Sequence, residues 1–552
     1  FSVYTDLASS VGTFEWKVLD DSIAKVTVDS QQPKTANVTG VTEGETRVVA
    51  TNTITQQTVF SRIIVTEDIT YAQIQLGKDF TIALKKDGTV WAWGNNEDGM
   101  TGTGSKQSML TIPVQIDSYY ASVNDAAQEI ATPMENILSV AVGENHAIII
   151  GQSGKVYAWG DNTYGQLGVN PILVKKTNRP ILVELDEDFA SQIIDVSAGA
   201  YHTVAVTATG EVYTWGHNDY GQLGLGNASI VVSTPQKVES LPEIVSISAG
   251  KQHTMVLGAD GYVYSFGDNS LGQLGAPSKD TSKRSSTPVV AQGLNKVISI
   301  SIGAGGSATK AVRYDGTLWG WGENSNHQID NTNNRYYAYP VQIDLGDEFN
   351  GHILRTYDGL YHVVAMLDNG RIISWGANSE GQLGQGIDES GSLLYYAPDY
   401  VDVFDGTNNY AVDISVGALH NLAITADGRV MSWGSADLGR LGIGNVTTSD
   451  DKVSPVEVTV DDGSLSAISV ATGGATSYVV LEDGFVWSFG ENTHGQLGDA
   501  YAGEDPAHYK PGTTNASDSN EFSPVLVTGR TMKLIPSSLN RFRTLSDESF
   551  IQ

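Results

Sequence analysis

GAYHTVAVTATGEVYTWGHNDYGQLG, residues Gly199–Gly224, decides the fold, because variants of it recur eight times along the chain. The leading glycines are Gly77, Gly143, Gly199, Gly250, Gly305, Gly359, Gly417 and Gly473. Eleven residues after each comes a second glycine: Gly88, Gly154, Gly210, Gly261, Gly316, Gly370, Gly428 and Gly484. Five further on stands an aromatic followed by glycine: Trp93, Trp159, Trp215, Phe266, Trp321, Trp375, Trp433 and Phe489. A period of about fifty residues with fixed internal spacing marks a propeller, a solenoid or an array.

Within one unit, HTVAVT and EVYTWG are alternating runs flanking a turn, and six of the eight turns are Asp-Gly or Asn-Gly. That dipeptide predicts a two-residue hairpin with positive φ angles. Trp91, Tyr157, Tyr213, Tyr264, Trp319, Ile373, Met431 and Trp487 lie two residues before the aromatics. Residues i and i+2 share one face of a strand, so each hairpin offers a bulky pair to a core. An apolar run precedes each leading glycine. A proline-led run closes each unit, at Pro113, Pro180, Pro235, Pro288, Pro340, Pro398, Pro455 and Pro524. Proline suits an edge strand, where no ladder donor is missed. Four short strands per repeat make one propeller blade.

These residues resemble the regulator of chromosome condensation repeat, a β-propeller family. The resemblance rests on Gly-x-x-His-Thr (His202, His253), the Asp-Gly turn, the Trp-Gly step and a loop reading GQLG at Gly165, Gly221, Gly272, Gly381 and Gly495, and GRLG at Gly439. It spans roughly residues 70–528, with departures at Gly99 (GMTG) and His327 (HQID). The family's usual ring has seven blades. The expectation here is all-β, with eight blades preferred over seven, since an eighth repeat outside a ring would expose its strand edges.

The propeller is placed at 69–528, leaving 1–68 and 529–552. Residues 1–68 read as short strands (FEWKVL, AKVTVD, ANVTGV, TRVVAT, VFSRIIVTE) in the pattern of an immunoglobulin-like sandwich. The run from Trp16 through Asp21-Ser22-Ile23-Ala24-Lys25-Val26 to Val41 and Gly44 resembles the bacterial Ig-like domains of surface proteins. Such a domain opens with strands before the one holding Phe1 and Val3, and the chain starting at Phe1 reads as a mature or excised product. The C-terminal extension, with Met532, Leu534, Leu539, Phe542, Leu545 and Phe550, is the candidate for that opening. It would fold back in cis, insert into the next copy as a donated strand, or belong to a tandem array; trans donation and a head-to-tail filament are preferred.

Net charge is −31 and cysteine is absent. Such a surface repels a polyanion, which argues against nucleic acid, and no disulfide or thiolate chemistry exists. No apolar run is long enough for a membrane helix. The sequons at Asn37, Asn227, Asn445 and Asn515 read as chance occurrences in an Asn- and Thr-rich chain. His146, His202, His253, His362 and His420 share one repeat position and read as structural, bonding backbone of their own or a neighbouring blade. The acidic runs Asp186-Glu187-Asp188, Glu97-Asp98 and Asp461-Asp462 lack the calcium-loop pattern and read as solvated turns. No nucleophile elbow or phosphate-cradling loop appears, so no catalytic residue, metal or cofactor is expected. Tyr119-Tyr120, Tyr336-Tyr337 and Tyr395-Tyr396 fall in the most variable loops and are the candidate partner contacts. The functional expectation is a non-enzymatic extracellular or cell-surface protein of a bacterium or archaeon that assembles with itself. The alternative is a monomeric protein-binding propeller, adhesin- or inhibitor-like, whose partner is another surface protein. Exchange activity on a small GTPase, known in the family's eukaryotic members, resides in face loops from which no residue carries over.

Overall fold

A computed structural model describes residues 73–527, apart from 186–191, 227–228, 279–282, 304–305, 347–348, 350–351, 388–395, 402, 405–408, 445–450, 462 and 500–520. Before residue 73 it describes six strands: Ser2–Tyr4, Phe14–Val18, Ala24–Val28, Thr35–Gly40, Gly44–Asn52 and Thr58–Val65. By compactness the chain divides into one unit of Phe1–Tyr71 with Ser537–Gln552 and another of Ala72–Pro536.

In the first unit Ser2–Tyr4, Thr35–Gly40 and Ala24–Val28 form one antiparallel sheet, in that order. Phe14–Val18, Gly44–Asn52 and Thr58–Val65 form a second. Trp16 and Val18 are buried while Glu15 and Lys17 are exposed, the period-two alternation of a half-buried strand. Phe1 and the C-terminal extension, with Met532, Leu534, Leu539, Phe542, Leu545 and Phe550, lie outside the described residues. Val3 lies on the strand Ser2–Tyr4, its side chain likewise outside them.

The second unit is an eight-bladed β-propeller. Each blade is a four-stranded antiparallel sheet whose strands run consecutively from the central axis outward. Blade 3 is representative: Ile193–Ala198 innermost, then His202–Thr207, Val212–His217 and Val231–Lys237. The ring closes between blades 8 and 1, where Trp93, Ala83 and Leu110 share a core with Tyr478, Val480 and Val527. Trp93 Nε1 there donates to Gln496 O across 2.7 Å.

The repeat explains the blade. Trp93, Trp159, Trp215, Trp321, Trp433 and Phe266 have no measurable exposure, because the second and third strands are covered on both faces by neighbouring blades. The following glycine lets the chains approach: Gly216 has φ of 108° and a Cβ there would sit 2.6 Å from Tyr201 O. Each closing proline falls where the outermost strand breaks register with its neighbour, as Pro180 does between the pairs Gly160↔Thr177 and Ala158↔Ile181. A bulge at an edge tolerates a residue with no N–H.

The hairpin turn corrects the sequence expectation. Gly88 N donates to Lys85 O and Lys85 N to Thr89 O. Gly88 has φ of 81° while Asp87 stays out of the positive-φ region. This is a type I turn followed by a glycine bulge, a three-residue loop. Asp precedes the glycine for a different reason: its carboxylate accepts the Thr89 N–H at 2.9 Å.

Candidate protein-interaction face

Because strands alternate in direction, the loop between the first and second strands and the loop between the third and fourth emerge on the same face. Every blade places a carboxylate there, at the end of its third strand or in the loop that follows: Asp98, Asp161, Asp219, Asp268, Glu323, Glu380, Asp437 and Glu491. The opposite face, made of the hairpin turns, mixes signs, with Lys85, Lys86, Lys155, Arg371 and Arg429 among its acids.

The seams between blades are built from this same end. In the seam between blades 2 and 3, Gln166 O of the GQLG loop accepts from Trp215 Nε1 at 3.0 Å and from Thr203 Oγ1 at 3.0 Å. Since the threonine hydroxyl donates to that carbonyl, it accepts from His146 Nε2, 3.3 Å away. The relay repeats as His202 to Thr254 to Gln222 O, as His362 to Asn421 to Gln382 O, and as His420 to Ser477 to Arg440 O. Four of the five ring histidines are thus blade-to-blade ties through neighbouring side chains, whereas the buried His253 makes no such bond among the described residues. Burial depresses the pKa of His146 and His362 to about 4 and that of His202 to about 3, so all three are neutral above pH 5.

The departures from the loop motif are absorbed because the tie is a backbone carbonyl. Met100 O receives Trp159 Nε1 at 2.8 Å and Gln328 O receives Trp375 Nε1 at 2.8 Å. His327 replaces the first loop glycine and holds its φ at 60°. A further element of the loop was legible only as a recurring letter: the asparagine after the Trp-Gly step. Asn162 Nδ2 donates to Val169 O and Val174 O at 3.0 and 2.6 Å, while its Oδ1 accepts from Leu167 N at 3.0 Å.

On the acidic face, blades 2 and 3 bring four rings together. Tyr164 lies 5.3 Å from Tyr201 and 4.4 Å from His217, and His217 lies 6.5 Å from Tyr220, centroid to centroid. Burial and the nearby Glu144 carboxylate raise the pKa of the Tyr201 phenol. The Gln222 amide fixes the state of His217. Its oxygen accepts Tyr220 N at 3.0 Å, so its Nε2 must donate to His217 Nδ1 at 3.1 Å. His217 Nε2 therefore carries the proton and donates to Asp219 Oδ2 at 3.1 Å. In blades 2 and 4 the same glutamine donates to Asp161 and Asp268 instead. The result is an aromatic patch bordered by Glu144, Asp161 and Asp219, suited to a cation lying on the rings.

A family model for the RCC1-like domain matches residues 36–357, and models for the regulator of chromosome condensation repeat match 369–424 and 427–480. The chain belongs to the RCC1-like repeat family. It is 31% identical over 378 residues to the ultraviolet-B receptor UVR8 of Arabidopsis thaliana, covering 68% of this chain and 81% of that protein. It is 31% identical over 363 residues to the regulator of chromosome condensation of Xenopus laevis, covering 62% of this chain and 81% of that one. The crystal structure of human WBSCR16 superposes with a TM-score of 0.53 at 21% identity, over 71% of this chain and 99% of that one. The last likeness is one of fold.

In this RCC1-like propeller the loop tyrosines do not form one surface. Tyr119 and Tyr120 are buried, at 8% and 7% exposure, which corrects their reading as partner contacts. Tyr119 packs edge-on against Tyr157 at 4.6 Å. Tyr120 exchanges backbone hydrogen bonds with Pro180 and Leu182, so this segment covers the outer edge of blade 2. Tyr336 is 48% exposed, whereas the Tyr337 hydroxyl is engaged by Asp330 and by Thr332 and Asn334. Tyr395 lies outside the described residues, and Tyr396 begins the outermost strand of blade 6. The structure brings together Tyr164, Tyr201 and Tyr220 instead. They sit inside the repeat motif, where counting them as part of the repeat hid them.

Among the described residues no group of three or more His, Asp or Glu side chains is arranged to hold a metal ion, and no helix is long and apolar enough to cross a membrane.

Proposed function

We propose that this chain is a non-enzymatic protein-binding propeller whose partner docks on the acidic face, with basic side chains lying over Tyr164, Tyr201 and Tyr220. The observation that carries this reading is the aromatic patch bordered by Glu144, Asp161 and Asp219. Tyrosine anchors inside a charged border are the usual make-up of a protein interface. The relatives' names, a receptor and a regulator, are those of proteins that act through others, and the net charge of −31 favours a basic protein over nucleic acid. Fluorescence anisotropy with an arginine- and glycine-rich peptide tests it. Tyr164→Ala and Tyr201→Ala should each weaken binding about tenfold, and Lys155→Glu on the opposite face should leave it unchanged. Equal losses from both faces would reduce the interaction to bulk charge.

A second reading follows from the first unit. Ser2–Tyr4 is a three-residue strand at a sheet edge, an edge that accepts a further strand. In that reading Phe1, Val3 and Trp16 belong to an Ig-like sandwich completed by residues 529–552 of the same or another copy. The chain would then be an extracellular or cell-surface protein that builds head-to-tail assemblies. Light-scattering mass of the full chain beside one ending at Gly529 discriminates the two: polymers lost on truncation support assembly, and one chain mass in both cases overturns it.

A further inference from the structure

Eight seams in one ring are internal controls for each other, and the seam between blades 5 and 6 breaks the pattern at four positions. Ala308 stands where five repeats have histidine, and Val363 stands where the relay needs a hydroxyl or amide. The seam between blades 1 and 2 also loses both partners, as Phe80 and Ala147, and fills the space with a phenyl ring. The odd seam does something else. Lys310, on the second strand of blade 5, takes the place of Ile148, Val204 and Leu422 in other blades. Asp358, at the end of the innermost strand of blade 6, takes the place of Val142, Ala198 and Val416. An amine on one blade thus faces a carboxylate on the next.

Lys310 Nζ is bonded to Asp358 Oδ1, and the two side chains are 0% and 6% exposed. The other carboxylate oxygen, Oδ2, accepts from Ser301 Oγ at 3.1 Å. With its one hydrogen committed there, Ser301 Oγ accepts in turn from Thr356 Oγ1, 2.9 Å away. The carboxyl group is therefore held at both oxygens, with the amine against one of them. An ion pair at this depth carries a desolvation cost that its own attraction barely offsets, and the aliphatic residues of the other blades avoid it. A reaction that discharges both groups removes that cost.

We propose that Lys310 and Asp358 condense into an isopeptide bond, a covalent link between blades 5 and 6. Transfer of one proton from Nζ to Oδ1 turns the ion pair into a free amine and a neutral acid. The amine lone pair then adds to Cγ, and the charge that gathers on Oδ2 meets the Ser301 hydroxyl already donating to it. A second proton passes from Nζ to Oδ1, the Cγ–Oδ1 bond breaks with its electron pair on oxygen, and one water leaves. Glu323 carries that second proton, being the other carboxylate on the cavity of about 210 Å³ that the pair lines, and the cavity receives the water. The product is an amide between Nζ and Cγ, and holding its two halves in contact supplies most of the drive for the addition. Asp358 is followed by Gly359, whose backbone nitrogen is a competing nucleophile for the same carbon. That nitrogen is tied to His362 O at 2.9 Å, which leaves the field to the lysine. The link lies in different blades from the aromatic patch and does not depend on it.

Intact mass spectrometry of the denatured full chain is the test. The mass should fall one water below that of the sequence, and a tryptic digest should contain one branched peptide joining the segments of Lys310 and Asp358. Asp358→Asn should reach the same final mass, because ammonia then leaves in place of water. Lys310→Arg and Asp358→Ala should each keep the full mass of their sequences. Glu323→Gln should stay largely uncondensed with an unchanged circular dichroism spectrum; complete linkage in that variant overturns Glu323 as the proton carrier. An unaltered chain at its full sequence mass overturns the link, as does a lost water that maps to a linear peptide at Asp358-Gly359.

Discussion

The seam between blades 2 and 3 and the seam between blades 5 and 6 join equivalent sheets by different chemistry. In the first, a neutral imidazole, a hydroxyl and an indole converge on one loop carbonyl, Gln166 O. In the second, the indole of Trp375 remains on Gln328 O, but the relay is gone and a buried Lys310–Asp358 pair stands nearby. The indole-to-carbonyl bond fastens six of the eight seams, and the two whose aromatic is Phe266 or Phe489 keep the relay onto the loop carbonyl instead; here the relay is lost together with its acceptor. The coupled replacements Phe80 with Ala147 and Ala308 with Val363 make that point twice in one chain.

Breaking the indole fastener should cost most. Trp215→Ala removes a fully buried indole and its hydrogen bond; unfolding in urea should show a loss of about 3–5 kcal/mol. The odd seam should answer nearly as strongly to Lys310→Met, which strands a buried carboxylate, at about 3–5 kcal/mol. Adding Asp358→Leu to that variant should recover most of the loss, because the second substitution removes the stranded charge. Full additivity of the two losses would mean the pair is not coupled.

Acid separates the two seams next. His146 is held neutral with its pKa moved from 6.5 to about 4. The unfolded chain takes up a proton below pH 6.5 that the native one refuses, so this stabilisation is intact above 6.5 and is lost as pH falls towards 4. The full swing for such a histidine is about 3 kcal/mol. Denaturation between pH 7 and 4.5 should therefore steepen with each relay histidine, and His146→Gln should flatten the slope. The smallest effect is expected from Ala308→His/Val363→Thr. Rebuilding the relay in the odd seam should shift stability by no more than about 1 kcal/mol while adding one more acid-sensitive tie.

The ring was legible because the repeat prints the same contacts eight times: a fixed interval between glycine, turn, aromatic and loop implies one blade, and Trp215 and its counterparts could only be core. What stayed hidden depended on context outside the period. Tyr119 and Tyr120 follow a variable loop, and nothing local signals that this segment lies along the edge of blade 2. Tyr164, Tyr201 and Tyr220 belong to adjacent repeats and meet only across a seam. Lys310 and Asp358 were visible as a charge inside an apolar run, ATKAVR against HTVAVT, and as an acid before a glycine. Their meeting lies in the departures from the repeat, whereas the reading of the fold came from its matches. The Asp-Gly turns misled by chemistry: the same dipeptide serves a type I turn with a bulge, and only the backbone bonds of Lys85 distinguish it.

Every blade takes its four strands from one uninterrupted stretch of chain, and the closing seam joins Trp93 to a carbonyl 403 residues away through the same indole bond as five of the other seams. The ring can thus be regarded as a cyclic octamer of covalently linked subunits meeting head to tail. No strand is shared across the closure, so the place where the polypeptide begins is topologically arbitrary. A circular permutant opened between any two blades keeps all eight interfaces, and a chain arrested before closure exposes two complementary faces, each ready to accept the end of another molecule.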